Sequence, residues 1–389
     1  MRGNADYQSQ IYYAIDIESW IPAEHPLRAV KRRADGILRS MHRRLERAYA
    51  RLGRPSIPPE MLLKALLLQS LYSIRSERQL VEQIRMNLLY RWFLDLSLDA
   101  AVWDATTFTK NRERFERHGL LREFFDRVVE GAYLEGLASE EHFSVDGTLI
   151  ESYASMKSLR PIGSKDERVS DGSEDDDPGN PTVSFRGERR GNATHRSLTD
   201  PEARLMRKSW GEATKLAHGA HLLVENRAGL VVDVSVSEAR TAAEREEALA
   251  MVRRTRRRHR RRLRMCTLAA DKGYDAGPFL HELEKVERIV PLVPIRKGPI
   301  RSFGPEADAR RRARRRQRTK RFQLAQRIRK RLEESIGWSK TIGGFRRSRH
   351  VGRWKITQQA LIVYASYNLL RLARIEALAP TAAYPRRSR

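Results

Sequence analysis

The chain has 389 residues, with 76 Lys and Arg against 49 Asp and Glu, so its net charge is +27. A hydrophobic content of 40% argues against wholesale disorder, and a single cysteine, Cys266, excludes a disulfide framework and a Cys-rich zinc site. The positive charge predicts attraction to a polyanion, most commonly nucleic acid. A merely basic solvated surface and a ribosomal type of RNA binder are the alternative interpretations.

Residues 1–140 are predicted to be mostly helical. The prolines of segment 56–59 are tolerated in a first helical turn, and segment 61–74 is apolar nearly all round, as is typical of a buried helix. Ser76 and the residue three positions later fit a capping box that opens a helix over 76–94. Segment 104–112 predicts a cap and a short basic helix. A helix-turn-helix that contacts DNA and a helical bundle that only packs on the core both remain open.

The pattern changes at residue 142. HFSVDGTLIES (142–152) predicts a strand that carries Asp146. Residues 157–200 are rich in Ser, Asp, Gly and Pro, which predicts a mobile loop. Residues 220–239 predict two strands around an Asn-Arg-Ala-Gly turn.

Alternation of helices and strands continues beyond this hairpin. A helix over 241–254 runs into the arginine block 253–264, and residues 265–275 predict a strand that ends in Asp271. A helix over 276–287 and a short strand over 288–295 follow. An arginine-rich segment, 296–321, then leads into a final helical region; it is predicted either to be solvated or to contact DNA.

This order predicts an α/β fold, namely an RNase H-like mixed-sheet core preceded by an all-α domain. We expect a helical domain over 1–140, a catalytic domain over 141–375 and a basic tail over 376–389. The apolar stretch 360–370 is too short to span a bilayer, and no signal peptide opens the chain. We therefore expect a cytoplasmic protein in contact with the nucleoid.

Asp146, Asp271 and Glu333 are the candidate metal ligands. Cleavage of a phosphodiester needs an activated nucleophile and neutralisation of charge on the phosphate, which two divalent ions held by carboxylates supply. Each acid has a structural alternative. The two aspartates suit ordinary turns, and Glu333 suits an ion pair with Arg329, four residues earlier on the same helix.

Long strings of the chain resemble the DDE transposases of bacterial insertion sequences, in the branch with an N-terminal helical domain before an RNase H-like catalytic domain. The strings that carry the resemblance cover residues 53–84, 87–115, 142–158, 185–208, 269–279 and 327–352. The resemblance implies that Asp146, Asp271 and Glu333 are catalytic and hold Mg²⁺ or Mn²⁺, with two ions expected.

The third-acid signature of this family reads Y-x2-R-x3-E-x6-K. Arg329, Glu333 and Lys340 fit it, and the two basic residues would then face DNA phosphates. The tyrosine position is Gln326 here, which departs from the pattern. Phe322 is a candidate replacement for that tyrosine, and Glu334 is the alternative third acid.

Further residues are predicted to contact DNA. They are Lys157, Arg186, Arg253 and Arg256, while His195 could approach the site or be solvated. Trp338 could stack on a flipped base, although packing within the helical region is the favoured interpretation. Ile362, Tyr364, Tyr367 and Leu370 are predicted to be core. Sequence reading of the DNA ends is assigned to residues 76–115.

The function implied is that of a DNA transposase that cuts at transposon ends and joins the free 3′-hydroxyl to target DNA. It would act as a homodimer on DNA, without a membrane. A nuclease of the same fold that cuts without joining, and a catalytically inactive DNA-binding relative, are the alternatives.

Overall fold

The computed structural model of the protein describes residues 16–50, 52–53, 55–163, 190–207, 212–240, 242–260 and 262–378. The Asp-rich segment 169–181 and most of the predicted tail therefore lie outside the described residues.

The N-terminal part is helical, as predicted. Its helices are α1 (Ile17–Trp20), α2 (Pro26–Arg47), α3 (Pro59–Leu71), α4 (Glu77–Met86), α5 (Leu88–Leu94), α6 (Thr106–Arg117) and α7 (Leu120–Leu134). Ser76 Oγ accepts a hydrogen bond from the backbone N–H of Gln79 at 3.1 Å and so caps α4. Asp104 Oδ1 accepts one from the N–H of Thr106 at 2.8 Å, at the start of α6.

The sheet follows α7. Its strands are β1 (His142–Glu151), β4 (Arg204–Met206), β5 (Lys215–Glu225), β6 (Val231–Glu238), β7 (Thr267–Ala269) and β8 (Val290–Leu292), and a separate ribbon pairs β2 (Leu159–Pro161) with β3 (His195–Ser197). In the main sheet β5 lies between β1 and the pair β4 and β6, and β7 and β8 continue on the other side of β1. Strand β5 pairs antiparallel with β1 and with β6, whereas β7 pairs parallel with β1, and β8 pairs parallel with β7. The mixed sheet agrees with the predicted α/β class.

The remaining helices are α8 (Ala243–Arg258), α9 (Gly277–His281), α10 (Pro305–Arg316), α11 (Lys320–Thr341) and α12 (Arg353–Leu378). A short turn of π-helix, Glu282–Val286, extends α9. None of the described helices combines the length and the hydropathy needed to cross a membrane.

The C-terminal helix α12 joins the helical part to the sheet. It packs against α2, α3 and α7 on one side and against β6 on the other. Tyr364 is fully buried, and Ile362 and Tyr367 are nearly so, which confirms them as core residues, while Leu370 packs on the core edge. Asn368 fastens α12 to β6, because its side chain accepts from the N–H and donates to the C=O of Val231. One continuous apolar core therefore runs through both parts of the chain.

A buried ion-pair network adds a second connection between these parts. Asp233 on β6 is completely buried, and its carboxylate accepts hydrogen bonds at 2.7 Å from Arg122 of α7 and from Arg254 of α8. A buried carboxylate needs such partners because it has lost its hydration.

Three segments differ from their predicted structure. The predicted helix over 76–94 is interrupted at Asn87, whose extended backbone separates α4 from α5. The arginine-rich linker contains a regular helix, α10, whose Arg310 pairs with buried Asp275 at 2.8 Å and whose Arg312 pairs with Glu284 at 2.7 Å. Internal acids offset the repulsion that makes an isolated arginine run unstructured. The described ends of the predicted loop 157–200 form the β2–β3 ribbon instead of a loop, because their backbones pair with each other.

Candidate active site

The register of β1 against β7 brings the two predicted aspartates together. Ser144 on β1 pairs with Ala269 on β7, and each aspartate follows its partner residue by two positions. Asp146 and Asp271 therefore occupy equivalent places on neighbouring parallel strands. Asp146 lies within its strand and does not end it. The antiparallel pairing with β5 continues to Glu151, and only the pairing with β7 stops before Asp146.

The carboxylate of Asp146 is half-buried and has two partners. Its Oδ1 accepts a hydrogen bond from the N–H of Gly147 at 2.9 Å, and its Oδ2 pairs with Nη1 of Arg329 at 2.9 Å. Burial raises the pKa of Asp146, and the negative charge of Asp271 raises it further, while Gly147 and Arg329 oppose the shift. Asp271 thus lies close enough for its charge to disfavour the ionised form of Asp146.

Asp271 stands at the exit of β7, where the chain turns. Its Oδ1 accepts a hydrogen bond from the N–H of Gly273 at 2.9 Å and so caps a single 3-10 turn, Lys272–Tyr274. The same turn is held from α8, because Arg245 donates to the C=O of Gly273 at 3.2 Å. A rigid turn fixes the position of the carboxylate at the strand end.

Helix α11 crosses the strand ends and delivers Arg329. One turn earlier, the side-chain amide of Gln326 donates to the C=O groups of Leu292 at 2.7 Å and Ala270 at 3.2 Å. Phe322 packs with Ala269 at the same edge. The residue that departs from the family signature therefore docks the helix by hydrogen bonds, with the predicted replacement aromatic packed one turn before it.

The third predicted acid is less tightly held. Glu333 lies four residues beyond Arg329, so both side chains project from one face of α11. It is exposed, and no side chain of the described ranges pairs with it. The alternative third acid, Glu334, points elsewhere and pairs with Arg371 of α12 at 2.6 Å. Lys340 lies in the last turn of α11.

Sequence reasoning missed an acid beside the aspartates, Glu244. It lies in the first turn of α8, and its Oε1 is 3.1 Å from the point that a Cβ atom on Gly147 would occupy. Burial raises the pKa of Glu244, as do the charges of Asp271 and Asp146, against the effect of Arg245. No local signal could have found it, because acids are common in the first turn of any helix.

Two buried polar groups near these acids have no hydrogen-bond partner among the described residues. One is the hydroxyl of Tyr274, whose pKa is raised well above its usual value by burial and by the charges of Glu244, Asp146 and Asp271. The other is Nδ1 of His221, which is 3.3 Å from the same point above Gly147, while its Nε2 is bonded to Ser237. Buried polar atoms without partners are rare and usually mark the place of a water or an ion.

The donor types at this edge fit a divalent cation. Asp146, Asp271 and Glu244 offer carboxylate oxygens, which Mg²⁺ and Mn²⁺ prefer, and the unpartnered Tyr274 hydroxyl adds another oxygen. Within the described ranges, no three His, Cys, Asp or Glu side chains are arranged to hold one ion, and the guanidinium of Arg329 supplies the positive charge at Asp146.

The other predicted DNA contacts differ in exposure and in partners. Lys157 is exposed in a 3-10 turn after β1, and Arg186 lies outside the described residues. Arg253 and Arg256 of α8 are engaged internally, since both pair with Glu287. His195 lies on the β2–β3 ribbon, bonded to Thr194.

Trp338 is 9% exposed and packs against Tyr367, with ring centroids 5.6 Å apart. Its surroundings are those of a packing residue.

Comparisons with known proteins place these features in context. Residues 15–114 match the family described as Transposase domain (DUF772), and residues 193–369 match the Transposase DDE domain. The second match includes Asp271 and Glu333 but begins after Asp146. No curated protein sequence matches the chain. A solved structure, "Mos1 transposase paired-end complex with left transposon end", aligns over 84% of this chain and 82% of its own at 11% identity. Its TM-score is 0.19, and no conclusion about this chain follows from a likeness of that size.

Proposed function

We propose that the chain is a DDE transposase, which cuts DNA at transposon ends and transfers the free 3′-hydroxyl into a target DNA; the matches to two transposase domain families support this proposal. Asp146, Asp271 and Glu333 are the proposed catalytic acids. The supporting observation is the strand register that sets Asp146 beside Asp271 at the sheet edge crossed by α11.

Charge governs what these residues can do. The charge of Asp271 disfavours the ionised form of Asp146, so the pair gains most from a cation of high charge density. Asp146 and Asp271 would hold Mg²⁺ or Mn²⁺, with Glu333 joining from α11. When bound, two such ions polarise the phosphate and activate the nucleophile.

Arg329 has a separate role in this proposal. It pairs with Asp146 in the structure, and its guanidinium can instead form a bidentate contact with a phosphate. The exposed Glu333, one turn along the same helix face, would approach the acids as α11 settles on DNA. No side chain has to attack the DNA, because water and the 3′-hydroxyl serve as nucleophiles in turn.

We further propose that the protein pairs two transposon ends as a homodimer and works at the nucleoid. Both proposals follow from the chemistry of joining two ends and from the basic charge of the chain.

The test uses labelled DNA that carries the inverted repeats flanking the coding region, with a second DNA as target. Asp146→Asn, Asp271→Asn and Glu333→Gln should each lower Mg²⁺-dependent cleavage by roughly 10²-fold or more while binding to the ends persists. Glu334→Gln is the matched control, since its carboxylate pairs with Arg371, and it should cut at nearly the wild-type rate.

Cleavage that survives in either aspartate variant would refute the assignment. Loss of cleavage in Glu334→Gln but not in Glu333→Gln would move the third acid by one residue. Cut ends without joined products would instead favour a nuclease that does not transfer strands.

A further inference from the structure

The acid that the catalytic assignment does not use is Glu244. Helix α8 begins soon after β6 and directs its first turn at the middle of β1. Gly147, the residue after Asp146, leaves room there. A Cβ atom at that position would lie 3.1 Å from Oε1 of Glu244, tighter than ordinary van der Waals contact. A carboxylate from a third element thus reaches the backbone beside Asp146.

The neighbouring acids of α8 show that Glu244 is unusual in its own helix. Glu246 pairs with Arg240 at 2.5 Å, and Glu247 accepts a hydrogen bond from Ser235 at 2.5 Å. Glu244 is half-buried, and no hydrogen bond or ion pair joins its carboxylate to the described part of the chain. The charges of Asp271 and Asp146 repel Glu244, whereas the charge of Arg245 attracts it. The helix dipole alone is weak compensation for the burial of an acid beside two like charges.

A second observation points to a ligand at the same place. The hydroxyl of Tyr274, on a fully buried side chain, has no partner among the described residues. Burial raises its pKa, and so do the charges of Glu244, Asp146 and Asp271. Nδ1 of buried His221 also lacks a partner there and lies 3.3 Å from the point above Gly147 that Glu244 approaches. Carboxylates that repel each other next to polar atoms without partners are typical of a metal-free cation site.

We propose that Glu244 is a further carboxylate ligand of the divalent ion held by Asp146 and Asp271, and that these acids bind the ion before DNA arrives. This assignment rests on the proposed function. Arg329 neutralises Asp146 in the present arrangement, and its guanidinium would withdraw when Asp146, Asp271 and Glu244 hold a cation that supplies this charge. The long side chain of Glu244 closes the remaining distance by rotation about its own bonds.

The experiment titrates Mn²⁺ into the full chain without DNA and follows the free ion by its electron paramagnetic resonance signal. Glu244→Gln, which keeps the shape and removes the charge, should weaken the Mn²⁺ Kd by about tenfold or more. Asp146→Asn and Asp271→Asn should weaken it at least as much. Glu246→Gln is the matched control on the same helical turn, and its Kd should stay within about twofold of wild type.

A thermal melt in chelator distinguishes whether Glu244 is a metal ligand or a structural residue. Removal of a charge that two aspartates repel should leave the metal-free Tm of Glu244→Gln equal to or above wild type, and Mn²⁺ should raise this Tm less than it raises wild type. Glu244→Asp keeps the carboxylate and should bind Mn²⁺ with an intermediate Kd.

An unchanged Kd in Glu244→Gln would overturn the inference, as would a chain that binds no Mn²⁺ without DNA. A lower metal-free Tm together with no recovery in Glu244→Asp would make Glu244 a structural residue and also overturn it. These results leave the proposed function standing if Asp146→Asn and Asp271→Asn still abolish cleavage. Cleavage that survives in both aspartate variants would instead refute the proposed function, whatever Glu244 does.

Discussion

At the scale of single residues, Arg329 decides the charge of the site. It is the cation that touches Asp146, at 2.9 Å, and both side chains are shielded from solvent, with 16% and 23% of their surfaces exposed. An ion pair sheltered in this way is screened less than a surface pair. Arg329 therefore supplies the positive charge at Asp146 until a metal ion or DNA displaces it.

We expect Arg329→Ala to destabilise the metal-free chain by ~1–3 kcal/mol, because a charged hydrogen bond to Asp146 is removed. Mg²⁺ should then raise the Tm by more than it does in wild type, since the ion restores the missing charge. Differential scanning fluorimetry in chelator and in Mg²⁺ measures both effects. Arg327→Ala, an exposed position on the same helix, is the control. Equal Mg²⁺ shifts in wild type and Arg329→Ala would contradict this account.

At the scale of elements, the site depends on how α11 docks on the sheet. Gln326 bonds to one carbonyl beyond β7 and one in β8, so it fixes the helix against two parallel strand ends at once. Arg329 and Glu333 follow on the same helix, and their height above Asp146 is set by that docking.

Gln326→Leu should cost ~1–3 kcal/mol, because two carbonyls lose their donor and the apolar side chain cannot replace it. We expect cleavage to fall more than DNA affinity, since the acids are displaced while the basic surface remains. Urea denaturation, a cleavage assay and a binding assay provide the comparison. Gln323→Leu makes the same change at an exposed position of α11 and should alter none of the three. A parallel loss of affinity and cleavage would show that Gln326 does not act through docking.

At the scale of the whole molecule, the basic residues behind the net charge of +27 are of two kinds: some form internal ion pairs, and others are exposed. Arginines of α8 and α10 are paired with Glu287, Glu284 and Asp275. The loop between β8 and α10 differs, because its basic side chains are exposed. This loop follows the end of the sheet that also carries Asp271, and its basic residues are Arg296, Lys297 and Arg301.

We expect this loop to contribute to phosphate binding. In the triple variant Arg296→Ala, Lys297→Ala, Arg301→Ala, the slope of log K against log salt should become shallower by about 0.9 for each phosphate that the loop no longer neutralises. Fluorescence anisotropy with end DNA at several NaCl concentrations measures it. Arg253→Ala and Arg256→Ala serve as comparison, because each side chain would have to leave Glu287 before it could reach a phosphate. A slope unchanged in the triple variant would remove the loop from the interface.

Much of the fold was predictable because its elements have strong local patterns. The apolar α3, the capped α4, the β5–β6 hairpin and the core face of α12 follow from hydrophobic periodicity and turn residues. The α10 helix was not predictable from its own arginines, because the acids that stabilise it come from Asp275 and Glu284 elsewhere in the chain.

The sequence by itself determined the α/β class and singled out Asp146 and Asp271 as candidate acids, because both depend on residue type and local order. Only the tertiary structure decided that Asp146 and Asp271 stand side by side, since the β1–β7 register is a long-range pairing. It also decided that Glu334 turns to Arg371, that Arg329 meets Asp146 and that Glu244 joins them. Contacts between side chains on three separate elements depend on how those elements pack, and no local pattern encodes them.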